Sequence, residues 1–289
     1  MRESILYAPN SPITYPFIKT MPSLEVTGAV LHYETFGSGP LLLFIPGADG
    51  RGGVFHEAAK CLAPHFTVIC WDRRGYSKSF LKGSQNFLER LSTDADDAHL
   101  LIKHLCIGPA TVFGNSSGAI VAQRLLERHP DSVTKLISHE PPALSVLPED
   151  VRVQATGLIH HVYDIYRAHG TAAAMEVFTS GLSEGSDGAV MRFCMDTTRG
   201  DEIRANSMFW FEFELRQYTS AAVDLNLLNA EKKKFVPAAG IDSGNGPGVG
   251  PISFIAHTLG VNVVRIPGGH IGFMTASKVF ADSLLDILK

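Results

Sequence analysis

Two short apolar runs, Leu41–Ile45 (LLLFI) and Thr67–Trp71 (TVICW), flank a stretch of helical spacing, Val54–Leu62. A strand without alternation is buried on both faces, as happens in a parallel sheet covered by helices. The rhythm repeats downstream. Ala110–Phe113 reads as a strand, Ser117–Arg128 as a helix and Val133–Ser138 as a strand. Strands alternating with helices make βαβ units and an α/β fold with a mostly parallel central sheet. Upstream, residues 24–36 alternate around Gly28 and read as a strand pair, closed by the Gly37-Ser38-Gly39-Pro40 break. Thr93–Leu105 reads as a helix, with Ser92 or Thr93 as N-cap and Asp94, Asp96 and Asp97 in its first turn.

The rhythm lapses from Val146 to Lys234, where periodicity is helical throughout, and returns at Phe235–Ala239 and Val261–Ile266. Helices are expected around Ile252–Leu259 and Thr275–Leu288, and Gly244–Pro251 as a loop. The expected organisation is an irregular arm over 1–20, a sheet domain over 21–145 and 235–289, and a helical insertion over 146–234. Composition fits a buried core: hydrophobic residues are 45% and charged residues 19%. The net charge of −4 and the lack of a long basic run argue against nucleic acid or an anionic membrane as partner. The four cysteines are far apart and read as buried thiols of a reducing compartment. The first 20 residues lack an uninterrupted apolar segment, and no apolar run approaches the roughly 18 residues of a membrane span. A soluble, cytoplasmic protein is expected.

Chemistry concentrates at Gly114-Asn115-Ser116-Ser117-Gly118, between a buried strand and an apolar helix. A strand-to-helix elbow strains its central residue, so the residues two away must be small. Gly114 and Gly118 meet that need around Ser116. The following helix N-terminus supplies positive potential where an oxyanion would form. A tight turn with a capping serine would use the same letters, and Ser117 is the less suitable nucleophile because Asn115 stands two before it.

Five segments in order carry a family resemblance: Ile45-Pro46-Gly47-Ala48, Trp71-Asp72-Arg73-Arg74-Gly75, the GNSSG elbow, Ser138-His139-Glu140-Pro141-Pro142 and Pro267-Gly268-Gly269-His270. From LLLFI to the C-terminal helix the chain resembles the α/β-hydrolase fold, and the insertion matches the helical cap that this family places after its sixth strand. The resemblance implies Ser116 as nucleophile and His270 as base. It implies backbone oxyanion donors at Ser117 and Ala48, with Gly47 permitting the close approach.

The acid departs from the common pattern. Many members place Asp three residues after the glycine ending the seventh strand, but that position here is Ser243, and Asp242 comes one early. The family's other solution, an acid just after the sixth strand, falls on Glu140. That placement resembles lactone hydrolases of the zearalenone lactonase type and some dehalogenases. Glu140 is the expected acid and Asp242 the alternative; an ion pair of Glu140 with Arg73 or Arg74 would be a purely structural role. The Asp72-Arg73-Arg74-Gly75 segment itself is expected to be structural.

Substrate choice is expected to rest with the cap. The aromatic run Ser207–Tyr218 offers Trp210 and Phe211 as an apolar lid, or as core packing, and Asp49 and Arg51 face either the pocket or solvent. The chain thus reads as a serine hydrolase of a medium-sized apolar ester or lactone. A non-hydrolytic use of the same pocket, as an isomerase, a cyclase or a small-molecule receptor, is the alternative. A serine at the elbow speaks against dehalogenase and epoxide-hydrolase chemistry, which needs a carboxylate there. No GxGxxG or GxxxxGK[ST] spacing and no ligand cluster implies a cofactor or a metal. Exposed apolar cap residues would suit a homodimer.

Overall fold

Alternation along Leu41–Ile45 decides how the sheet is covered. Leu41, Leu43 and Ile45 join one apolar cluster, while Leu42 and Phe44 join another on the opposite face. The computed structural model describes residues 22–105, 108–180 and 186–289, so the arm over 1–20 and Cys106 lie outside the described residues. In chain order the elements begin with β1 (Ser23–Val26), β2 (Ala29–Phe36), β3 (Leu41–Ile45), α1 (His56–Leu62), β4 (Thr67–Trp71), the two-residue β5 (Phe80–Leu81) and α2 (Arg90–His104). Then come β6 (Ala110–Asn115), α3 (Ser117–Arg128), β7 (Val133–His139), α4 (Glu149–Ser180), α5 (Ser186–Cys194), α6 (Asp201–Phe213), α7 (Leu215–Ser220) and α8 (Leu225–Ala230). The chain closes with β8 (Phe235–Gly240), α9 (Val249–Leu259), β9 (Val264–Ile266), α10 (Gly272–Thr275) and α11 (Ser277–Leu288).

The strands form one sheet in the order β1-β2-β4-β3-β6-β7-β8-β9, with β5 added beside β2. Pairings from β4 through β9 are parallel, and β2 runs antiparallel to β1, β4 and β5. Side chains from α2, α3 and α9 complete one apolar layer, and those from α1 and α11 complete the other. Helices α4 to α8 stand between β7 and β8, and Val162, Tyr166, Met175, Trp210, Phe211 and Leu215 build a third apolar cluster among them.

Three local expectations need correction. The helix expected from Thr93 starts at Arg90; Ser92 and Thr93 do not cap it, and Thr93 Oγ1 donates back to the carbonyl of Glu89, the residue just before the helix. Asp94 and Asp97 therefore lie past the first turn and point inward, where Arg73 and Arg74 are buried and require anionic partners. The last strand is only Val264–Ile266, because its pairing with β8 spans just Ala238–Gly240. The expected terminal helix is interrupted at Ala276.

The carboxyl ends of the parallel strands share one edge, where open α/β sheets bind ligands. β6 ends there in the elbow, whose tightness depends on glycine. A Cβ on Gly118 would lie 2.3 Å from Ile45 O, and one on Gly114 2.5 Å from Gly118 O. Both are contacts with backbone that cannot swing aside. We expect Gly118→Ala to lose about 3 kcal/mol or more, at the upper end of the cost of overpacking, as read by denaturant unfolding. Unchanged stability would show that the β3–α3 contact is slack.

Candidate active site

Ser116 has φ 56° and ψ −128°, a conformation that a non-glycine residue holds only under constraint. The constraint is visible. Ser116 N–H donates to His139 O (3.0 Å), Ala119 N–H donates to Ser116 O (2.9 Å), and the glycines let β3 and α3 close around it. The Ser116 hydroxyl faces a cavity of about 190 Å³ between the sheet edge and helices α4 to α7. It has no hydrogen-bond partner among the described residues. Gly47 lies against it, since a Cβ there would come within 2.8 Å of Ser116 Cβ.

Glu140 follows β7 directly and also has positive φ, 48°. Its carboxylate is buried. Oε1 accepts from Gly240 N–H (2.7 Å) and Oε2 lies 2.6 Å from His270 Nδ1. Burial alone would raise its pKa. The hydrogen bond and charge of His270, with the nearby His139, outweigh burial and hold it down at about 2. An ionised Glu140 makes Nδ1 the donor and leaves His270 Nε2 as the free ring nitrogen. Ser116, Glu140 and His270 all line the same cavity. Arg73 and Arg74 pair elsewhere, with Asp94, Glu214 and Asp97, so neither forms the ion pair with Glu140. Asp242 is exposed and its N–H donates to Gly268 O (3.0 Å).

Gly47, Ala48, Asp49 and Ser117 line the cavity beside Ser116. Asp49 is buried and also at positive φ, accepting from Asn206 Nδ2 (2.9 Å) and pairing with Arg51 (3.2 Å). Burial pushes its carboxyl up from the ordinary value, against the opposing effects of Arg51 and Asn206. Trp210 lines the cavity. Phe211 does not reach it, because its ring stacks on Tyr166 (4.7 Å between centroids) inside the helical cluster. The rest of the lining is mostly apolar, including Leu144, Ile159, Val162, Phe178 and Met195, with Asn115, Glu214 and Thr219 among its polar members, and no lysine or arginine is among the described lining residues. Of the cysteines, Cys70 is buried, whereas Cys61 and Cys194 are only partly so.

Two residues beside the site have no role assigned from sequence. His139 is buried behind the elbow with Nδ1 2.7 Å from Asn115 Oδ1, and burial drives its pKa down to about 4. Glu214 was hidden in the aromatic run, where the helix in fact breaks into α6 and α7. Its carboxylate is buried and accepts from Ser117 Oγ (2.6 Å), Arg73 Nη2 (2.7 Å) and the Tyr76 hydroxyl. A lone acid amid aromatic residues was the available signal, since such a group is tolerated in a core only with partners.

Residues 40–189 match the family model described as the alpha/beta hydrolase fold. The chain belongs to this family. It is 32% identical over 273 residues to an uncharacterized hydrolase, YraK, of Bacillus subtilis (strain 168), covering 92% of this chain and 95% of that one. It is 39% identical over 106 residues to the pimeloyl-[acyl-carrier protein] methyl ester esterase of Chromobacterium violaceum, covering 37% of this chain and 39% of the esterase. Among solved structures, the enol-lactonase from Burkholderia xenovorans LB400 superimposes with a TM-score of 0.65 at 18% identity, covering 92% of this chain and 99% of that one. The chain is an enzyme of the α/β-hydrolase family. No helix among the described residues is long and apolar enough to cross a membrane.

The titrations behind the elbow set an acid limit on stability. His139 takes up a proton at pH 6.5 when unfolded but only near 4 when folded, so unfolding is favoured as pH falls through that window. Glu140, ordinarily near 4.5 and folded near 2, adds stability above 4.5 that is lost as pH falls toward 2. We expect the melting temperature to drop by several degrees between about pH 6.5 and 4, and His139→Gln to flatten that slope. Parallel curves for both proteins would contradict it.

Proposed function

We propose that the chain is a serine hydrolase that cleaves an ester or lactone of a medium-sized, apolar, uncharged molecule through an acyl-enzyme. The observation that carries this assignment is the buried Glu140–His270 hydrogen bond at 2.6 Å beside a strained, cavity-facing serine. In this mechanism Ser116 Oγ attacks the carbonyl carbon as His270 Nε2 takes the hydroxyl proton. The C–O bond to the alcohol then breaks, and the same proton goes to the departing alkoxide. Water repeats the sequence, releases the acid and restores Ser116. Glu140 keeps His270 in the tautomer with Nε2 free and stabilises the imidazolium. The N–H groups of Ala48 and Ser117 receive the oxyanion, each such donor contributing on the order of 10²–10³ in rate. We assign residues 146–234 as a cap domain and Asp49 and Trp210 as substrate-facing residues.

The neutral, apolar substrate class rests on the lining. Its charged residues are Asp49, Glu140 and Glu214, with no described cation to meet an anionic substrate. A fluorophosphonate probe should add once to the wild-type protein and not to Ser116→Ala, read by intact mass. On a neutral p-nitrophenyl ester, Glu140→Gln should lose most of kcat, on the order of 10²-fold or more as when the orienting acid of a triad is neutralised, and Asp242→Asn little. An unlabelled, folded wild type would overturn the serine mechanism, and the reverse ranking of the two acids would move the role to Asp242.

A further inference from the structure

We infer that the buried Arg73–Glu214 pair is a positioning device for the oxyanion hole, through which the helical segment sets the two oxyanion donors. The inference rests on the serine-hydrolase assignment. Arg73 Nη2 donates to Gly47 O at 2.7 Å and to Glu214 Oε1 at 2.7 Å. The Gly47 carbonyl belongs to the same peptide group as the Ala48 N–H. A guanidinium on that oxygen polarises the peptide and strengthens its N–H as a donor. Gly50 N–H also donates to Gly47 O (3.0 Å), so two donors fix the peptide plane. The other donor belongs to Ser117, whose Oγ is held by the same Glu214 Oε1 at 2.6 Å. One carboxylate oxygen therefore ties both donor residues together, directly at Ser117 and through Arg73 at Gly47.

Glu214 stands at the junction of α6 and α7, so this tie comes from the helical segment rather than from the sheet. Its other oxygen accepts from the Tyr76 hydroxyl. Arg73 Nη1 donates to Asp94 Oδ2 (2.7 Å), which also accepts from the Tyr218 hydroxyl (2.8 Å). Arg90 lies 3.8 Å from the other Asp94 oxygen. The cluster thus balances two guanidinium groups with two carboxylates, all buried. A pair serving packing alone would not need both of its members to reach the residues flanking the nucleophile. Replacing such pairs by apolar residues is often neutral or stabilising.

Ser117→Ala keeps the backbone donor and removes only the tie, and Glu214→Gln keeps the shape without the charge. Arg73→Lys keeps the charge and loses the fork that spans Gly47 and Glu214. On p-nitrophenyl butyrate, kcat/KM should fall about tenfold in the first two and about 10²-fold in the third, the scale of a weakened to a lost donor, with kcat carrying the loss. Affinity for an alkyl trifluoromethyl ketone, whose adduct puts an oxyanion in the hole, should fall by the same factors. Affinity for the matching methyl ketone should stay within about twofold. Folded Ser117→Ala and Glu214→Gln proteins with wild-type kcat/KM would overturn the inference, as would equal weakening of both ketones. Should Arg73→Lys not fold, those two variants decide alone. Ser116→Ala run alongside separates the two levels. Retained turnover there overturns the serine mechanism and this inference together, whereas its loss beside an unaffected Ser117→Ala overturns the inference alone.

Discussion

The backbone conformation at Ser116 is the constraint on which the rest of the site depends. A serine at φ 56° is unfavourable by about 1–3 kcal/mol wherever it stands. Here the surrounding structure leaves no alternative. β6 must end where β3 and α3 touch, and Gly114 and Gly118 are the residues that let them touch. Once the elbow exists, geometry follows from it. The serine hydroxyl faces the cavity, α3 begins immediately behind it, and the loop after β3 is brought against Ser116 at Gly47. Of the four described non-glycine residues at positive φ, Ser116, Asp49 and Glu140 line that cavity and only Ser77 does not, so local strain is concentrated where the chemistry is proposed.

Two polar systems hold this edge of the sheet, and they work differently. Behind the elbow, Glu140 holds His270 and is itself anchored to backbone by Gly240 N–H, and His139 O receives Ser116 N–H. On the other side, Arg73, Glu214, Asp94 and Arg90 form a dry, charge-balanced cluster that joins the loop after β4, α2 and the α6–α7 junction. In the proposed mechanism the first system sets proton chemistry. The second, by our inference, sets where the peptide groups flanking Ser116 point. Between them lies a largely apolar cavity whose walls come about equally from the sheet-domain loops and from helices that the sheet does not need for its own pairing.

Much of this was legible in the sequence because it follows from local pattern. β3 and β4 coincide with the LLLFI and TVICW runs, and α3 with the helix expected at Ser117–Arg128. The elbow was legible because its glycines are a steric necessity. Glu140 stood out by its place after β7, and the structure puts its carboxylate rather than that of Asp242 against His270. What was not legible depends on contacts between distant segments. Asp94 looked like a helix-start carboxylate; only Arg73, brought beside it by the fold, makes it a buried partner. Glu214 looked like part of one continuous helix, and nothing local announces the break that turns it toward Ser117. Trp210 and Phe211 are neighbours in sequence, yet one lines the cavity and the other stacks on Tyr166, a difference set by helix orientation.

In the proposed mechanism hydrolysis passes through a covalent intermediate on Ser116. Its most direct test is to mix the enzyme with a slowly hydrolysed, neutral p-nitrophenyl ester, quench in acid during turnover, and measure peptide masses. The acyl mass is expected on the peptide carrying Ser116, gone after the substrate is exhausted. Sustained turnover with no acyl mass on that peptide, or with the adduct on another residue, would contradict it.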